Sequence, residues 1–163
     1  MVQRRIRVLF VCLGNICRSA VAEGVFRHKV KEAGLEEHFE IASAGTGDWH
    51  VGKPPDARMC AAVKQRSVDI SGQRARQLTS ADLASYDYVL AMDRSNLENA
   101  RKLDPPGTHA ERIALFREFD PEPADGQVPD PYYGGPEGFE HVLDIVFRTS
   151  DALLQHLRQT HRL

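Results

Sequence analysis

The sequence predicts an α/β fold in which a parallel sheet is covered by helices on both faces. Short apolar runs alternate along the chain with longer segments whose apolar residues recur at helical spacing. Strands and helices in this order are joined by right-handed crossovers between parallel strands. The length is that of one domain, so we expect residues 1–163 to form a single domain with its own core.

The first half of the chain contains two predicted strands and two predicted helices. Residues 6–11 are an apolar run typical of a buried strand, and residues 19–33 have the periodicity of a helix. Residues 39–42 are a second strand, and the small residues 43–47 are expected to form a loop. A further helix begins near residue 56. Its inward-facing residues are predicted to be Ala57, Cys60, Ala61 and Val63.

The second half adds two strands and a long loop. Residues 87–92 and 111–116 are the third and fourth predicted strands, and a final helix covers residues 139–157. Asp93 follows the third strand, where it is expected to cap a helix, with a supporting contact to the first loop as the second interpretation. The irregular stretch 117–136 contains five prolines, and a loop of this length in one domain is usually functional.

The composition excludes several classes of protein. A net charge of −2 without a long basic block argues against binding to nucleic acid. No apolar run approaches the length of a membrane-spanning helix, and the polar first residues do not form a signal peptide, so we expect a cytoplasmic protein without membrane insertion. Three cysteines fit reduced thiols better than a disulfide framework.

The loop between the first strand and the first helix is the strongest candidate for a functional site. Its backbone N–H groups and the start of the helix suit an anion, and Gly14 is predicted to supply a positive φ, which Asn15 also tolerates. Arg18 can hold two oxygens of a phosphate with its planar guanidinium. Cys12, close to Arg18 and to Ser19, is expected to be a thiolate at neutral pH and therefore a nucleophile.

The long loop contains the candidate proton donors. A phosphate ester is displaced quickly only if its leaving oxygen is protonated, which requires an acid near the thiolate. Asp125 lies in Ala-Asp-Gly, which is typical of a turn, whereas Asp120 and Asp130 each precede a proline. Asp130 is preferred because Tyr132 and Tyr133 follow it and supply aromatic faces for an aromatic substrate.

Five segments of the chain resemble the low-molecular-weight protein tyrosine phosphatases. They are Cys12-Leu13-Gly14-Asn15-Ile16-Cys17-Arg18-Ser19, Ser43-Ala44-Gly45-Thr46, Arg76-Gln77-Leu78, Leu90-Ala91-Met92-Asp93 and Asp130-Pro131-Tyr132-Tyr133. The resemblance implies a four-stranded sheet in the order 2-1-3-4. It also implies hydrolysis of phosphotyrosine in proteins through a phosphocysteine on Cys12, with Asp130 as general acid and base, inorganic phosphate as product, and neither cofactor nor metal.

The resemblance further implies roles for residues around the loop. Phosphate binding is implied for Leu13, Gly14, Asn15, Ile16, Cys17, Arg18 and Ser19. Ser43 is implied as a hydrogen-bond partner that supports Asn15, and Asp93 is a second supporting candidate. The implied pocket wall consists of Trp49, Tyr132 and Tyr133. For Trp49, burial in the core is the alternative.

Departures from the family and competing functions complete the sequence interpretation. Ala20 stands where the family usually has proline, and Gln73 stands near a position that is often histidine.

An arsenate reductase on this fold would need two further cysteines near the third strand, where none occurs, and a non-catalytic phosphotyrosine-binding module would not need both Cys12 and Asp130. The cysteine and histidine spacings match no common zinc site. Cys17 is also a candidate for a protective, reversible disulfide with Cys12.

Overall fold

The computed structural model describes residues 4–131 and 134–163, and its centre is a sheet of four parallel strands. The strands are β1 (Ile6–Cys12), β2 (Phe39–Gly45), β3 (Tyr88–Ala91) and β4 (Ile113–Leu115). Their spatial order is β2-β1-β3-β4, which confirms the predicted order. Because β1 lies inside the sheet, its carboxyl end is flanked by the carboxyl ends of β2 and β3.

Five α-helices pack on the sheet in the described part of the chain. They are α1 (Arg18–Glu32), α2 (Ala57–Lys64), α3 (Ser80–Ser85), α4 (Arg94–Arg101) and α5 (Pro136–His161). Short 3₁₀ helices occupy Glu36–His38, Ala110–Arg112 and Phe116–Phe119. The last two flank β4 on either side, so the fourth strand is shorter than the predicted 111–116.

The alternation of side chains along β1 divides the core between the two faces of the sheet. Phe10 points to the face covered by α1 and α5, where its ring meets those of Phe26 and Phe116 edge-on, with centroids 5.8 and 5.2 Å apart. Leu9 and Val11 point to the opposite face, which α3 and α4 cover. Each such side chain, fully buried, stabilises the fold by roughly 1.5–3 kcal/mol. The prediction of helices on both faces is therefore confirmed.

Two local predictions were wrong. β2 runs on through residues 43–45, because Gly45 pairs with Cys12 and accepts a hydrogen bond from the backbone N–H of Leu78. In α2 the buried side chains are Met59 and Val63, so Val63 faces inward as predicted, whereas Ala57 and Ala61 are exposed and Cys60 is half-buried. The larger side chains bury more apolar surface, so they determine which face of the helix packs inward.

Candidate active site

The loop between β1 and α1 has an unusual backbone at Asn15. Asn15 has φ 57°, in the left-handed region that asparagine tolerates better than most residues. Gly14 does not have a positive φ, so that prediction was wrong. Instead, Gly14 makes room for His50: a Cβ at position 14 would lie 2.9 Å from His50 Cδ2. The absence of a side chain at position 14 therefore allows the His50 ring to pack closely against the loop.

The end of β2 supports this loop from below. A Cβ at Gly45 would lie 2.8 Å from the carbonyl oxygen of Leu13, which is backbone and cannot move aside. The N–H groups of Thr46 and Gly47 donate to the carbonyl oxygens of Cys12 and Leu13, both at 2.9 Å. Residues that follow β2 therefore hold the loop that follows β1.

Buried hydrogen bonds connect the side chains beneath the loop. Cys12 Sγ lies 3.0 Å from Ser19 Oγ. The Asn15 amide donates to Ser19 Oγ at 2.8 Å and to Ser43 Oγ at 2.9 Å, so the contact between Asn15 and Ser43 that the resemblance implies is present. Asn15 Oδ1 accepts the backbone N–H of Arg76 at 3.0 Å. The side chain of Asn15 thus holds the loop in its left-handed turn.

Arg18, the first residue of α1, is buried against two acidic residues. Its Nη1 donates to Asp93 Oδ2 at 2.7 Å and to the carbonyl oxygen of Val128 at 3.0 Å, and its Nη2 is 3.7 Å from Asp130 Oδ2. Burial opposes its charge, but Cys12, Asp93 and Asp130 together raise the pKa of Arg18 above the ordinary value. Arg18 is therefore a permanent cation at the base of the site.

Asp93 fulfils both of its predicted roles. Its Oδ1 accepts the backbone N–H of Asn96 at 2.8 Å, which caps α4, and its Oδ2 accepts from Arg18. One carboxylate therefore begins a helix and fixes the guanidinium.

A cavity of about 100 Å³ opens above the loop. Its lining residues are Cys12, Leu13, Gly14, Ile16, Cys17, Arg18, His50 and Asp130. The fold thus brings Asp130 to Cys12 and Arg18 across more than a hundred residues of sequence. Asn15 and Ser19 form the buried support described above. His50 is a lining residue that the sequence analysis did not predict; its place beside Trp49, in the loop after β2, was the available signal.

The predicted wall residues have different outcomes. Trp49 is 66% exposed, and its ring lies over Gly47, where a Cβ would be 1.8 Å from a ring carbon. It is therefore not a core residue, and its contact with substrate stays a prediction. Tyr132 and Tyr133 lie outside the described residues, so their place on the wall also stays a prediction.

The three aspartates of the long loop lie in different surroundings. The Asp120 side chain is fully buried and paired with Arg117 and Arg148 at 3.0 and 2.8 Å. Burial alone would raise the pKa of Asp120, but hydrogen bonds from Arg148, a backbone N–H and Arg117 lower it to about 2. Asp125 accepts the backbone N–H of Gln127 in an exposed turn. Of these three residues, Asp130 is the one that lines the cavity.

The three cysteines are all free thiols. Cys17 lines the cavity at the N-cap position of α1, and burial together with the nearby Cys12 raises the pKa of its thiol. Cys60 is half-buried, with Sγ 3.7 Å from the carbonyl oxygen of Pro55. The position of Cys60 fits the packing role that the sequence favours.

The two departures from the family pattern contact each other. The Gln73 side-chain amide donates to the carbonyl oxygen of Ala20 at 3.0 Å. Neighbouring Ile70 packs so closely on α1 that a Cβ at Gly24 would lie 2.4 Å from it. Gln73 and Ile70 therefore support the first turns of α1.

Comparison with known proteins identifies the family. The sequence model of the low molecular weight phosphotyrosine protein phosphatase family matches residues 7–163 of this chain. The low molecular weight phosphotyrosine protein phosphatase of Schizosaccharomyces pombe is 47% identical over 137 residues, covering 83% of this chain and 86% of the relative. The low molecular weight protein-tyrosine-phosphatase of Streptomyces coelicolor is 43% identical over 155 residues, covering 94% of each chain.

A solved structure agrees with these matches. The protein tyrosine phosphatase of Entamoeba histolytica, crystallised with Hepes in its active site, superposes with a TM-score of 0.89 at 36% identity, covering 96% of this chain and 99% of that one. In the described ranges 4–131 and 134–163, none of the helices has the length and apolar character needed to span a bilayer. The family match includes the cavity and all the elements that build it, and the chain therefore belongs to the low molecular weight phosphotyrosine protein phosphatases and is a protein tyrosine phosphatase.

Proposed function

We propose that Cys12 is the nucleophile, Arg18 the phosphate-binding cation and Asp130 the general acid and base of this phosphatase. The observation that supports these roles is the cavity, since Asp130 lines the same space as Cys12 and Arg18 although it comes from a distant segment. Arg18 lines this space together with the sulfur and the carboxyl, so its guanidinium can bind the equatorial oxygens of a phosphoryl group there.

The first chemical step is transfer of the phosphoryl group to sulfur. The Cys12 thiolate attacks phosphorus, the bond from phosphorus to the tyrosine oxygen breaks, and Asp130 gives its proton to that oxygen. Arg18 and the backbone N–H groups of the loop stabilise the charge on the phosphoryl oxygens. The products of this step are a phosphocysteine, a free tyrosine side chain and an Asp130 carboxylate.

The second step releases inorganic phosphate. Asp130 takes a proton from water as the water oxygen attacks phosphorus, and the bond from phosphorus to sulfur breaks. Cys12 leaves as a thiolate, which the Ser19 hydroxyl, at 3.0 Å, stabilises by a hydrogen bond. Asp130 is again protonated at the end of the cycle, so no other proton carrier is needed.

The substrates we propose are phosphotyrosyl proteins in the cytoplasm. A phosphotyrosine side chain is long enough to place its phosphorus at the bottom of a slot, whereas phosphoserine leaves its phosphorus close to the substrate backbone. A nucleophilic thiol is inactivated by oxidation, so it requires a compartment that keeps thiols reduced.

Steady-state assays on matched phosphotyrosyl and phosphoseryl peptides test this proposal. We expect turnover of the first and at least a hundredfold lower kcat/KM for the second. Cys12→Ser should abolish turnover of both peptides and of an aryl phosphate while inorganic phosphate still binds. Cys60→Ser is the matched control, and it should keep wild-type activity. Appreciable turnover by Cys12→Ser would contradict the assignment of the nucleophile.

A further inference from the structure

We propose that Glu23 is a positioning residue of the active site, acting on Cys12 through Ser43, Asn15 and Ser19. Glu23 lies on α1, outside the phosphate-binding loop. A chain of hydrogen bonds joins it to the sulfur. The distances are 2.8 Å from Glu23 Oε1 to Ser43 Oγ, 2.9 Å from Ser43 Oγ to Asn15 Nδ2, 2.8 Å from Asn15 Nδ2 to Ser19 Oγ, and 3.0 Å from Ser19 Oγ to Cys12 Sγ.

At the Glu23 end of this series of hydrogen bonds, the chemistry of the groups determines which atom donates and which accepts. A carboxylate can only accept, so Ser43 directs its single proton at Glu23 and accepts from Asn15. The amide of Asn15 cannot turn over to reverse this, because the backbone N–H of Arg76 donates to its Oδ1 at 3.0 Å. Both protons of the Asn15 amide group are therefore directed at hydroxyl oxygens.

The same logic fixes the bond at the sulfur. Ser19 Oγ accepts from Asn15, which leaves its own proton for an acceptor. Cys12 Sγ is 3.0 Å away, whereas the other acceptor, the carbonyl oxygen of Ala44, is at 3.5 Å. Ser19 is therefore a donor to the sulfur, and this is the direction that stabilises a thiolate.

Because the side chains in this series are buried, reversing the donor and acceptor of one hydrogen bond would be costly. Asn15, Ser19 and Ser43 are exposed by 3%, 0% and 7%, so water cannot easily repair a bond that is reversed. If Ser43 pointed its proton at Asn15, two donors would face each other in the interior, which is costly. The carboxylate of Glu23 excludes that arrangement by accepting the Ser43 proton.

Both oxygens of Glu23 are occupied as acceptors. Oε1 accepts from Ser43, and Oε2 accepts from Arg27 Nη2 at 3.0 Å. Arg27 also donates to the carbonyl oxygen of Ile41 at 2.7 Å, so it is held in place. A glutamine at position 23 would have to turn its amide nitrogen towards one of two donors, either Ser43 or Arg27.

Glu23→Gln tests the proposal, which rests on the proposed function only for the nucleophilic role of Cys12. We expect the rate of Cys12 alkylation by iodoacetate at pH 6, divided by the rate at pH 9, to be about tenfold lower in the variant than in the wild type. The reason is that the hydrogen bond from Ser19 to the charged sulfur is weakened. The inhibition constant of inorganic phosphate should change less than threefold, since Arg76 still holds Asn15. Glu32→Gln is the matched control on α1, and it should leave both values unchanged.

The double variant E23Q/R27M decides between a directional role and a simple loss of packing. Removing the Arg27 guanidinium lets the glutamine nitrogen face outward, so that its oxygen again accepts from Ser43. We expect the alkylation rate and kcat to return to within about twofold of R27M alone. No recovery, an unchanged rate in E23Q, or a phosphate inhibition constant that rises in step with the alkylation defect would overturn the proposal. The Cys12→Ser assay tests the nucleophile separately, so the two failures are distinguishable.

Discussion

Asp130 and Asp120 differ in how far their side chains are exposed to solvent. Asp130 Oδ2 lies 3.7 Å from Arg18 Nη2, longer than a direct hydrogen bond, and its side chain is 42% exposed. Asp120 accepts from both Arg117 and Arg148 and is fully buried. A residue that must give and take a proton needs access to the substrate and to water. Asp130 has this access, whereas Asp120 is fixed as a structural anion.

Asp130→Ala should therefore slow the enzyme according to the leaving group. We expect kcat/KM to fall at least a hundredfold on phenyl phosphate, because a poor leaving group depends on protonation. On p-nitrophenyl phosphate, whose leaving group is far more acidic, the loss should be at least tenfold smaller. Asp125→Ala, in the same loop, is the control that should affect neither substrate. An equal loss on both esters would point to a different acid.

At the scale of secondary structure, the junction of β3 and α4 fixes the site from one side. β3 pairs directly with β1, so its carboxyl end lies next to Cys12. Asp93 lies two residues after the end of β3, where it caps the start of α4 and accepts a hydrogen bond from Arg18. The backbone N–H of Val128 donates to the Met92 carbonyl oxygen at 2.8 Å, which connects the loop that contains Asp130 to the same junction. The junction therefore holds both Arg18 and the segment leading to Asp130.

Variants at Asp93 should separate its two roles. Asp93→Asn and Asp93→Ala both remove the anionic partner of Arg18, so we expect kcat/KM to fall about tenfold or more in each. Asparagine remains a good helix cap and alanine does not, so Asp93→Ala should be less stable than Asp93→Asn by about 1 kcal/mol. Urea unfolding and turnover of p-nitrophenyl phosphate measure the two effects. Wild-type activity in Asp93→Asn would show that the ion pair is dispensable.

On the scale of the whole molecule, a buried charge cluster links the long loop to the final helix. Asp120 pairs with Arg148 on α5 and with Arg117, which also donates to the carbonyl oxygens of Glu122 and Gln127 at 3.1 and 2.8 Å. The loop that carries Asp130 is thus fastened along its length by side chains from two elements. This cluster explains how an irregular, proline-rich segment can present a carboxyl at a defined place.

The cluster predicts how stability depends on pH. The pKa of Asp120 is about 2 in the folded protein, below that of an unfolded aspartate, so the stabilisation is complete above about pH 5 and declines as the pH falls towards 2. A shift of this size contributes about 2 kcal/mol at pH 7. Asp120→Asn should therefore lower the free energy of unfolding at pH 7, and its difference from wild type should shrink by pH 3.

Urea unfolding at pH 7, 5 and 3 measures this dependence. Glu118→Gln, at an exposed position of the same loop, is the control, and its unfolding midpoint should follow that of the wild type at each pH. A deficit of Asp120→Asn that stays constant from pH 7 to pH 3 would contradict an origin in the ionised carboxylate.

Local patterns in the sequence determined the elements and the central loop. The apolar period distinguished the strands from the helices, and the segment from Cys12 to Ser19 placed a thiol, a guanidinium and a hydroxyl within one strand-loop-helix unit. These inferences succeed because backbone geometry and helix periodicity depend on neighbours a few residues apart. The resemblance to a known family added the order of the strands, which no local pattern contains.

Only the tertiary structure decided which distant residues join the loop. Asp93, 75 residues from Arg18, bonds to it directly, and His50 occupies the space that Gly14 leaves open. Long-range contacts also explain why Asn15, rather than Gly14, adopts the left-handed turn. The Asn15 side chain donates to Ser43 and accepts from the backbone N–H of Arg76. Such contacts depend on how strands and helices pack against one another across the sheet, and that packing arises from long-range burial rather than from the residues next in sequence.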